Sequence, residues 1–254
     1  MKIAVFTDIH GNLEALTAIL RDIKKQNVDS IICLGDTIGI GPKPKECIEK
    51  LIKNKINMAL GNHELYALNG MKFYKEITEE EAQHHKWVKE QLSEKEINYL
   101  KKCSLYYTTE ITFDNESLNQ KIIYSHYLIK NINMIKPFEE ANLKDDIKLW
   151  IKYNNPNRTY IVGHLHKSFN ENEVDGISGD YIEELEELTN IMVLDSAGCT
   201  TNNETSYMLI EIGKTRTFKV QKVKYNRKKF LEKVRNTDYP DKKNIMKYFY
   251  GEEE

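Results

Sequence analysis

Five short apolar segments of this 254-residue chain are each followed directly by side chains that can bind a metal ion. In chain order these side chains are Asp8 with His10, Asp36, Asn62 with His63, His126, and His164 with His166. The apolar segments have the length and composition of buried strands. Because binding sites in open α/β sheets form where the strands end, the pattern predicts that these side chains converge on one site.

The spacing within the blocks supports this convergence. Asp8 and His10 are two residues apart, as are His164 and His166. In extended backbone, residues i and i+2 project to the same side, so each pair can reach a single point.

The first sixty residues alternate between strand and helix patterns. Ile3 to Phe6, Ser30 to Leu34 and Met58 to Leu60 read as strands, while Leu13 to Lys25 and Glu46 to Lys53 have a helical period. This alternation predicts βαβ units and a largely parallel sheet.

Residues from about 65 to 103 have a helical pattern, and Thr78–Glu81 and Ser93–Glu96 match the capping box. We interpret this segment as a small cap-like helical insertion, because it is too short for a core of its own.

Beyond it, the predicted strands are 106–113, 121–125, 159–162, 191–194, 206–212 and 217–225, and the predicted helices are 141–153, 181–188 and 227–235. Without an internal repeat or a Pro/Gly-rich linker, residues 1–254 are expected to form a single domain, with a solvated tail at Gly-Glu-Glu-Glu.

The charge balance argues against a nucleic-acid-binding surface. The chain has 39 acidic and 37 basic residues, and only five of the basic residues are arginine. No apolar run approaches the roughly 20 residues of a spanning helix, and the N-terminus becomes polar too early for a signal peptide. We therefore expect a cytoplasmic protein with no membrane partner. Four widely spaced cysteines without a C-x-x-C pair argue against zinc-ribbon and thioredoxin-like sites.

The donor set mixes carboxylate, amide and imidazole groups and contains no thiolate. Such a set suits Mn, Fe, Zn, Co or Ni, with Mn expected first. Seven ligands exceed what one ion takes from protein while keeping an open position, so two divalent ions that share a bridging carboxylate fit the count better. Two such ions can clamp the attacking and leaving oxygens of a displacement at phosphorus.

The five blocks together resemble the calcineurin-like metallophosphoesterase superfamily, with its pattern D-x-H, GDxxG, GNH[DE], H and GHxH. The resemblance covers about residues 3 to 212. The stretch Gly35–Pro42 and the Trp87 to Glu94 region are similar to the compact bacterial and archaeal phosphodiesterase branch. The resemblance implies a four-layer α/β/β/α sandwich with two mixed sheets and the dinuclear site at one edge.

The resemblance also implies a role for each motif residue. The first ion would be held by Asp8, His10, Asp36 and His166. The second would be held by Asp36, Asn62, His126 and His164, so that Asp36 bridges the two. His63 would bind no metal. It would face the substrate, stabilise the charge of the transition state and protonate the leaving oxygen.

The resulting expectation is a metal-dependent phosphoesterase that cleaves a small or nucleotide-like phosphodiester with a hydroxide that two metal ions activate. The phosphate-gripping arginines of the protein Ser/Thr phosphatase branch are absent, because Gly39 closes the second motif and Leu60 precedes the third. A phosphomonoesterase using the same site is the alternative, and a non-catalytic binding scaffold is a weaker one. The motifs leave the oligomeric state and a dedicated substrate-binding residue open.

Several other residues have simpler interpretations. The adjacent His84 and His85 read as a solvated helix face, and Cys33 and Cys199 as small apolar packing residues. Asn12, which follows His10 closely, is a candidate for a phosphate contact.

Overall fold

The computed structural model describes residues 1–70, 77–111, 120–127, 129–131, 134–135, 158–166, 169–170, 190–213 and 215–252. The strands in these ranges are β1 Lys2–Phe6, β2 Ser30–Cys33, β3 Asn57–Met58, β4 Tyr106–Ile111, β5 Gln120–Ser125, β6 Ile129–Asn131, β7 Met134–Ile135, β8 Arg158–Val162, β9 Phe169–Asn170, β10 Asn190–Val193, β11 Glu204–Ile212 and β12 Arg216–Lys224. The helices are α1 Leu13–Ile23, α2 Pro44–Lys53, α3 Asn62–Asn69, α4 Glu79–Glu90, α5 Glu94–Leu100, α6 Arg227–Asn236 and α7 Lys242–Tyr250.

Two five-stranded sheets form the centre of the molecule. The first sheet has the order β12-β11-β1-β2-β3, and the second has the order β4-β5-β8-β10-β9. In the first sheet β1, β2 and β3 are parallel, while β11 and β12 are antiparallel neighbours. In the second, β5, β8 and β10 are parallel and the two edge strands are antiparallel. Both sheets are therefore mixed, as predicted.

The alternation of side chains along β1 explains the layered packing. Ile3 and Val5 join a buried cluster that also contains Ile122 and Ile161 of the second sheet. Ala4 and Phe6 point the other way, into a cluster with α1 and α2. Because period-two alternation buries both faces of β1, this strand connects a sheet–sheet core with a sheet–helix core. The predicted α/β sandwich is confirmed, and the predicted helices 141–153 and 181–188 lie outside the described residues.

The C-terminal part of the chain differs from the sequence expectation. Helix α7 was not predicted, although Ile245, Met246, Phe249 and Tyr250 recur at helical spacing. The expectation of a solvated tail is wrong for Glu252, whose carboxylate accepts from Arg227 at 2.8 Å and from Arg235 at 2.6 Å. These charge-assisted bonds fasten the end of α7 to α6.

In the described part of the chain, no helix combines the length and the apolar character that crossing a membrane would require.

Candidate metal centre

The site is built on loops that follow the carboxyl ends of β1 and β2. Three backbone hydrogen bonds tie these loops together: the N–H groups of Asp8, His10 and Gly11 donate to the carbonyls of residues 35, 36 and 37 at 2.8–3.0 Å. Both loops therefore continue the parallel pairing of their strands beyond the sheet edge. This holds Asp8 and His10 at a fixed position relative to Asp36.

One oxygen of Asp8 is fully engaged, and the other has no hydrogen-bond partner. Asp8 Oδ2 accepts from the hydroxyl of Thr7 and from the backbone N–H of His164 at 3.1 Å. Asp8 Oδ1 is buried without a donor. It lies 3.5 Å from His10 Nε2 and 3.2 Å from His166 Nε2. A buried carboxylate oxygen that faces two imidazole nitrogens and lacks a donor is suited to a metal ion.

Asp36 repeats this arrangement between the two halves of the cluster. Its Oδ1 accepts the backbone N–H of His63 at 3.0 Å. Its Oδ2 lies 3.2 Å from His126 Nε2, 3.8 Å from His10 Nε2 and 3.9 Å from His63 Nε2. The carboxylate therefore has one oxygen for positioning and one directed at imidazoles on both sides.

The outer nitrogens of His10 and His126 are bound to backbone carbonyls. His10 Nδ1 donates to the carbonyl of Ile38 at 3.2 Å, and His126 Nδ1 donates to that of Leu34 at 3.1 Å. A carbonyl can only accept, so Nδ1 carries a proton, and Nε2 is the ring nitrogen that faces the cluster and is left to bind a metal ion. This is the usual outer-shell support of a metal-binding histidine.

The remaining predicted ligands complete the cluster. His166 Nε2 is 2.9 Å from His10 Nε2, and Asn62 Oδ1 is 3.2 Å from His126 Nε2. One ligand atom each from Asp36, His126 and His164 lies within 4.8 Å of the others. All seven predicted metal-ligand side chains are thus together in the structure.

His63 lies at the edge of the cluster, at the start of α3. Its ring contacts that of His10 edge-on, with centroids 4.9 Å apart, and it also packs against His85 at 5.0 Å. The ring is close to the backbone at Gly39, where any Cβ would collide with it. The His63 side chain keeps 13% of its surface exposed. It can therefore contact a ligand at the cluster from the open side.

The backbone of the site has an unusual conformation. Eight non-glycine residues have a positive φ in the described ranges, and five of them are Asp8, His10, Asp36, His164 and His166. This left-handed conformation is disfavoured for residues with a Cβ, at about 1–3 kcal/mol each. Such a concentration of strain at the predicted ligands is typical of a functional site.

The buried charges of the site reinforce one another. Burial alone would raise the pKa of Asp8, but nearby His126, His10 and His166 hold it well below its usual range. Burial alone would lower the pKa of His126, but the carboxylates of Asp36 and Asp8 raise it to about 9. The carboxylates therefore stay ionised, and without a metal ion the buried negative charge draws a proton onto His126.

These observations fit divalent cations. The site offers two buried carboxylates, imidazole nitrogens that face the cluster, an amide oxygen and a carboxylate oxygen without a donor. Hard and borderline divalent ions take such a set, and two neighbouring groups of atoms flank Asp36.

Glu64 is a supporting residue whose importance the sequence analysis missed. Its fully buried carboxylate accepts four backbone N–H groups, those of Asp36, Thr37, Ile38 and Gly61, at 2.8–3.2 Å. Burial and the charge of Asp36 raise the pKa of Glu64 to about 7, although the N–H donors favour the ionised form. One side chain thus joins the Asp36 loop to the start of α3.

Replacing Glu64 with glutamine is expected to destabilise the metal-free protein by at least about 2 kcal/mol, because the amide NH₂ would face N–H donors and leave them buried and unpaired. In a protein of this size each kcal/mol corresponds to about 2–4 °C in Tm. Thermal unfolding in the presence of a chelator measures this without interference from metal loss. Glu90→Gln, at an exposed position of α4, should stay within about 0.5 kcal/mol. An unchanged Tm for Glu64→Gln would contradict the role given to this carboxylate.

Two sequence interpretations are corrected here. Asn12 is fully buried and caps α1: its Oδ1 accepts from Ala15 N–H and its Nδ2 donates to the Gly198 carbonyl, so it does not face a substrate. His84 and His85 are buried at 3% and 8% exposure instead of solvated, because α4 turns this face towards α3 and residues 239–240. Cys199 packs against a buried cluster formed by α1, α6 and α7, as predicted, and its thiol also lies beside His10 and His166.

Aromatic side chains border the cluster on two sides. Tyr127, which directly follows His126, is buried and contacts the rings of His126 at 4.6 Å and His164 at 4.7 Å. Phe249 of α7 lies with its ring centroid 6.0 Å from that of His166. Phe249 could be noticed from sequence only through the helical spacing of α7.

Comparison with known proteins agrees with this geometry. The chain matches the calcineurin-like phosphoesterase family over residues 1–194. It is 28% identical to the uncharacterized protein MJ0912 of Methanocaldococcus jannaschii over 247 residues, which cover 94% of each chain. Its fold is similar to that of a metallophosphoesterase from Sphaerobacter thermophilus, with a TM-score of 0.69, 20% identity and 98% of each chain covered. It is also similar to hypothetical protein PH1004 from Pyrococcus horikoshii OT3, with a TM-score of 0.67, 18% identity and coverage of 100% of this chain and 99% of that one.

The family match spans all five sequence blocks, and the structure brings their histidine and aspartate side chains into adjoining clusters of the kind that a dinuclear metal site needs. This chain is therefore a phosphoesterase of the calcineurin-like family, which uses such a site.

Proposed function

We propose that this protein is a metal-dependent phosphodiesterase that hydrolyses a small or nucleotide-like diester. Asp8, His10, Asp36 and His166 would hold one divalent ion, and Asp36, Asn62, His126 and His164 the other. Mn²⁺ is the first candidate metal, with Fe, Zn, Co or Ni as alternatives.

The position of Asp36 carries this proposal. Its Oδ2 faces His126 on one side and His10 on the other, at 3.2 and 3.8 Å. A carboxylate with one oxygen used by the backbone and the other between two groups of imidazoles can serve two ions at once. When bound, the ions supply a nucleophile from water at neutral pH and positive charge for the phosphate.

In this proposal, His63 donates a proton to the leaving group. Its Nδ1 is buried without a partner, and its Nε2 is the nitrogen nearer Asp36. Burial lowers the pKa of His63 well below its usual value, although the Asp36 carboxylate acts in the opposite direction. A bound phosphate would add negative charge beside the ring and favour the imidazolium, which can then donate to the leaving oxygen.

The surroundings of the cluster favour a diester over a monoester. In the described part of the chain, the rings that border it are those of Tyr66, His85, Tyr127 and Phe249, none of which carries a fixed positive charge. Burial lowers the pKa of His85 to about 4, so this imidazole is neutral as well. A monoester dianion gains from cationic side chains beyond the metal ions, whereas a diester carries one charge less.

A comparison of bis-p-nitrophenyl phosphate with p-nitrophenyl phosphate tests the proposal. With Mn²⁺ added, we expect kcat/KM to be higher for the diester by at least about tenfold, a difference of about 1.4 kcal/mol in transition-state binding. Equal values, or a preference for the monoester, would favour the phosphomonoesterase alternative. Turnover of neither compound by metal-loaded protein would favour the binding scaffold.

A further inference from the structure

The thiol of Cys199 lies beside the first group of predicted metal ligands. Its Sγ and one ring nitrogen each of His10 and His166 all lie within 4.8 Å of one another. Both histidines belong to the set proposed for the first ion. Cys199 is thus part of a group of three possible donors, whereas the sequence analysis expected a donor set without sulfur.

The backbone around Cys199 is fastened to the loop that carries Asp8 and His10. The Cys199 N–H donates to Ser196 Oγ at 3.0 Å, and this hydroxyl donates to the Asp8 carbonyl at 2.8 Å. The same carbonyl accepts the Gly198 N–H at 2.9 Å, while Asn12 Nδ2 donates to the Gly198 carbonyl at 2.9 Å. Gly198 approaches the backbone of Ile9 so closely that any Cβ would collide with it. These contacts hold the thiol next to the cluster.

A second feature at the same place favours a bound cation. Asp8 Oδ1 is completely buried, has no hydrogen-bond donor among the described residues, and faces the Nε2 atoms of His10 and His166. A buried carboxylate oxygen without a donor is costly unless an ion compensates it. The two imidazoles that Asp8 Oδ1 faces are the same two that the Cys199 sulfur approaches.

We infer that Cys199 is an additional ligand, permanent or exchangeable, of the ion held by Asp8, His10 and His166. This ligand would bias the position towards Zn²⁺, Co²⁺ or Fe²⁺ over Mn²⁺. On binding, the S–H bond breaks, the proton leaves to solvent and the sulfur–metal bond forms. A thiolate is a soft donor, and soft donors select the later divalent metals. This inference rests on the proposed metal site and refines its selectivity.

Titration of metal-free protein with Co²⁺ tests the inference without measuring activity. Bound Co²⁺ gives weak visible ligand-field bands whatever its ligands, and a thiolate ligand adds an intense charge-transfer band in the near ultraviolet. We expect both features in the wild type. In Cys199→Ser we expect the visible bands to remain and the charge-transfer band to disappear, with Zn²⁺ affinity reduced at least about tenfold and Mn²⁺ affinity changed much less.

Cys103→Ser is the matched control, because the Cys103 thiol donates to the Tyr99 carbonyl and lies in the core between α5 and the first sheet. This variant should keep the charge-transfer band. Visible bands without a charge-transfer band in the wild type, or an unchanged band in Cys199→Ser, would overturn the ligand role of Cys199 but leave the metal site intact. If Co²⁺ produced no bands at all, the proposed site itself would fail.

A labelling experiment on the wild type covers the case in which Cys199→Ser does not fold. Zn²⁺ bound at the sulfur should protect Cys199 from iodoacetamide, as measured by mass spectrometry of peptides, and Mn²⁺ should protect it less. Equal labelling of Cys199 in metal-free and Zn²⁺-loaded protein would contradict the inference.

Discussion

Asp36→Asn should lose both metal ions together and, with them, nearly all activity. The substitution keeps the size of the side chain, and an amide oxygen can still accept the His63 N–H, but the negative charge between His126 and His10 disappears. Loss of an outer-shell partner costs about 10–100-fold in metal affinity, and we expect a shared ligand to cost more than this for each ion. Elemental analysis after dialysis against limiting Mn²⁺ measures both ions.

Asp22→Asn serves as the control for this experiment. Asp22 also lies in a partly buried environment and accepts from the Tyr207 hydroxyl at 3.0 Å, but it is on α1. The metal content of the Asp22→Asn variant should equal that of the wild type. If Asp36→Asn kept both ions, or lost only one of them, Asp36 would not be a bridging ligand.

His63→Ala should keep both ions and still turn over slowly. Removal of a general acid typically costs about 10²–10⁴-fold in rate. We expect a loss in this range for diesters with alkyl leaving groups, which need a proton, and a much smaller loss for p-nitrophenyl esters, whose leaving group is stable as an anion. The ratio of kcat values for the two leaving groups, with metal content measured in parallel, is the decisive quantity.

His84→Ala provides a histidine control in the neighbouring helix. Its ring bonds to the Pro240 carbonyl, and it lies behind His85 as seen from His63. The kcat values of His84→Ala for both esters, expressed per folded molecule, should match those of the wild type. If His63→Ala emptied the metal site, or slowed both esters equally, His63 would be a ligand or a structural residue instead of a proton donor.

The sequence was most informative where function and secondary structure coincide. Asp8 and Asp36 come two and three residues after β1 and β2 end, and His126 directly follows β5. The position of a side chain just after a strand depends on the local backbone. The pattern of apolar segments was therefore sufficient to predict that these residues lie at one edge of the sheets. The two mixed sheets were expected only from the family resemblance, because the segments alone predicted a largely parallel sheet.

Other features depend on contacts between distant parts of the chain and could not be read locally. Glu64 supports the Asp36 loop from 28 positions away, and Cys199 reaches His10 only because the loop after β10 packs on the loop after β1. The burial of His85 depends on how α4 packs against α3. A cysteine within Gly-Cys-Thr has no local signature that separates a ligand from a core residue.

Phe249 has a consequence for how substrates are chosen. It comes from α7, beyond the segment of residues 1–194 that the family shares, yet its ring lies 6.0 Å from that of His166. The predicted metal ligands and an aromatic neighbour of His166 are thus encoded in different regions of the chain. If Phe249 contacts bound substrate, proteins with the same five blocks can keep their metal ligands and differ in substrate choice through their C-terminal helices.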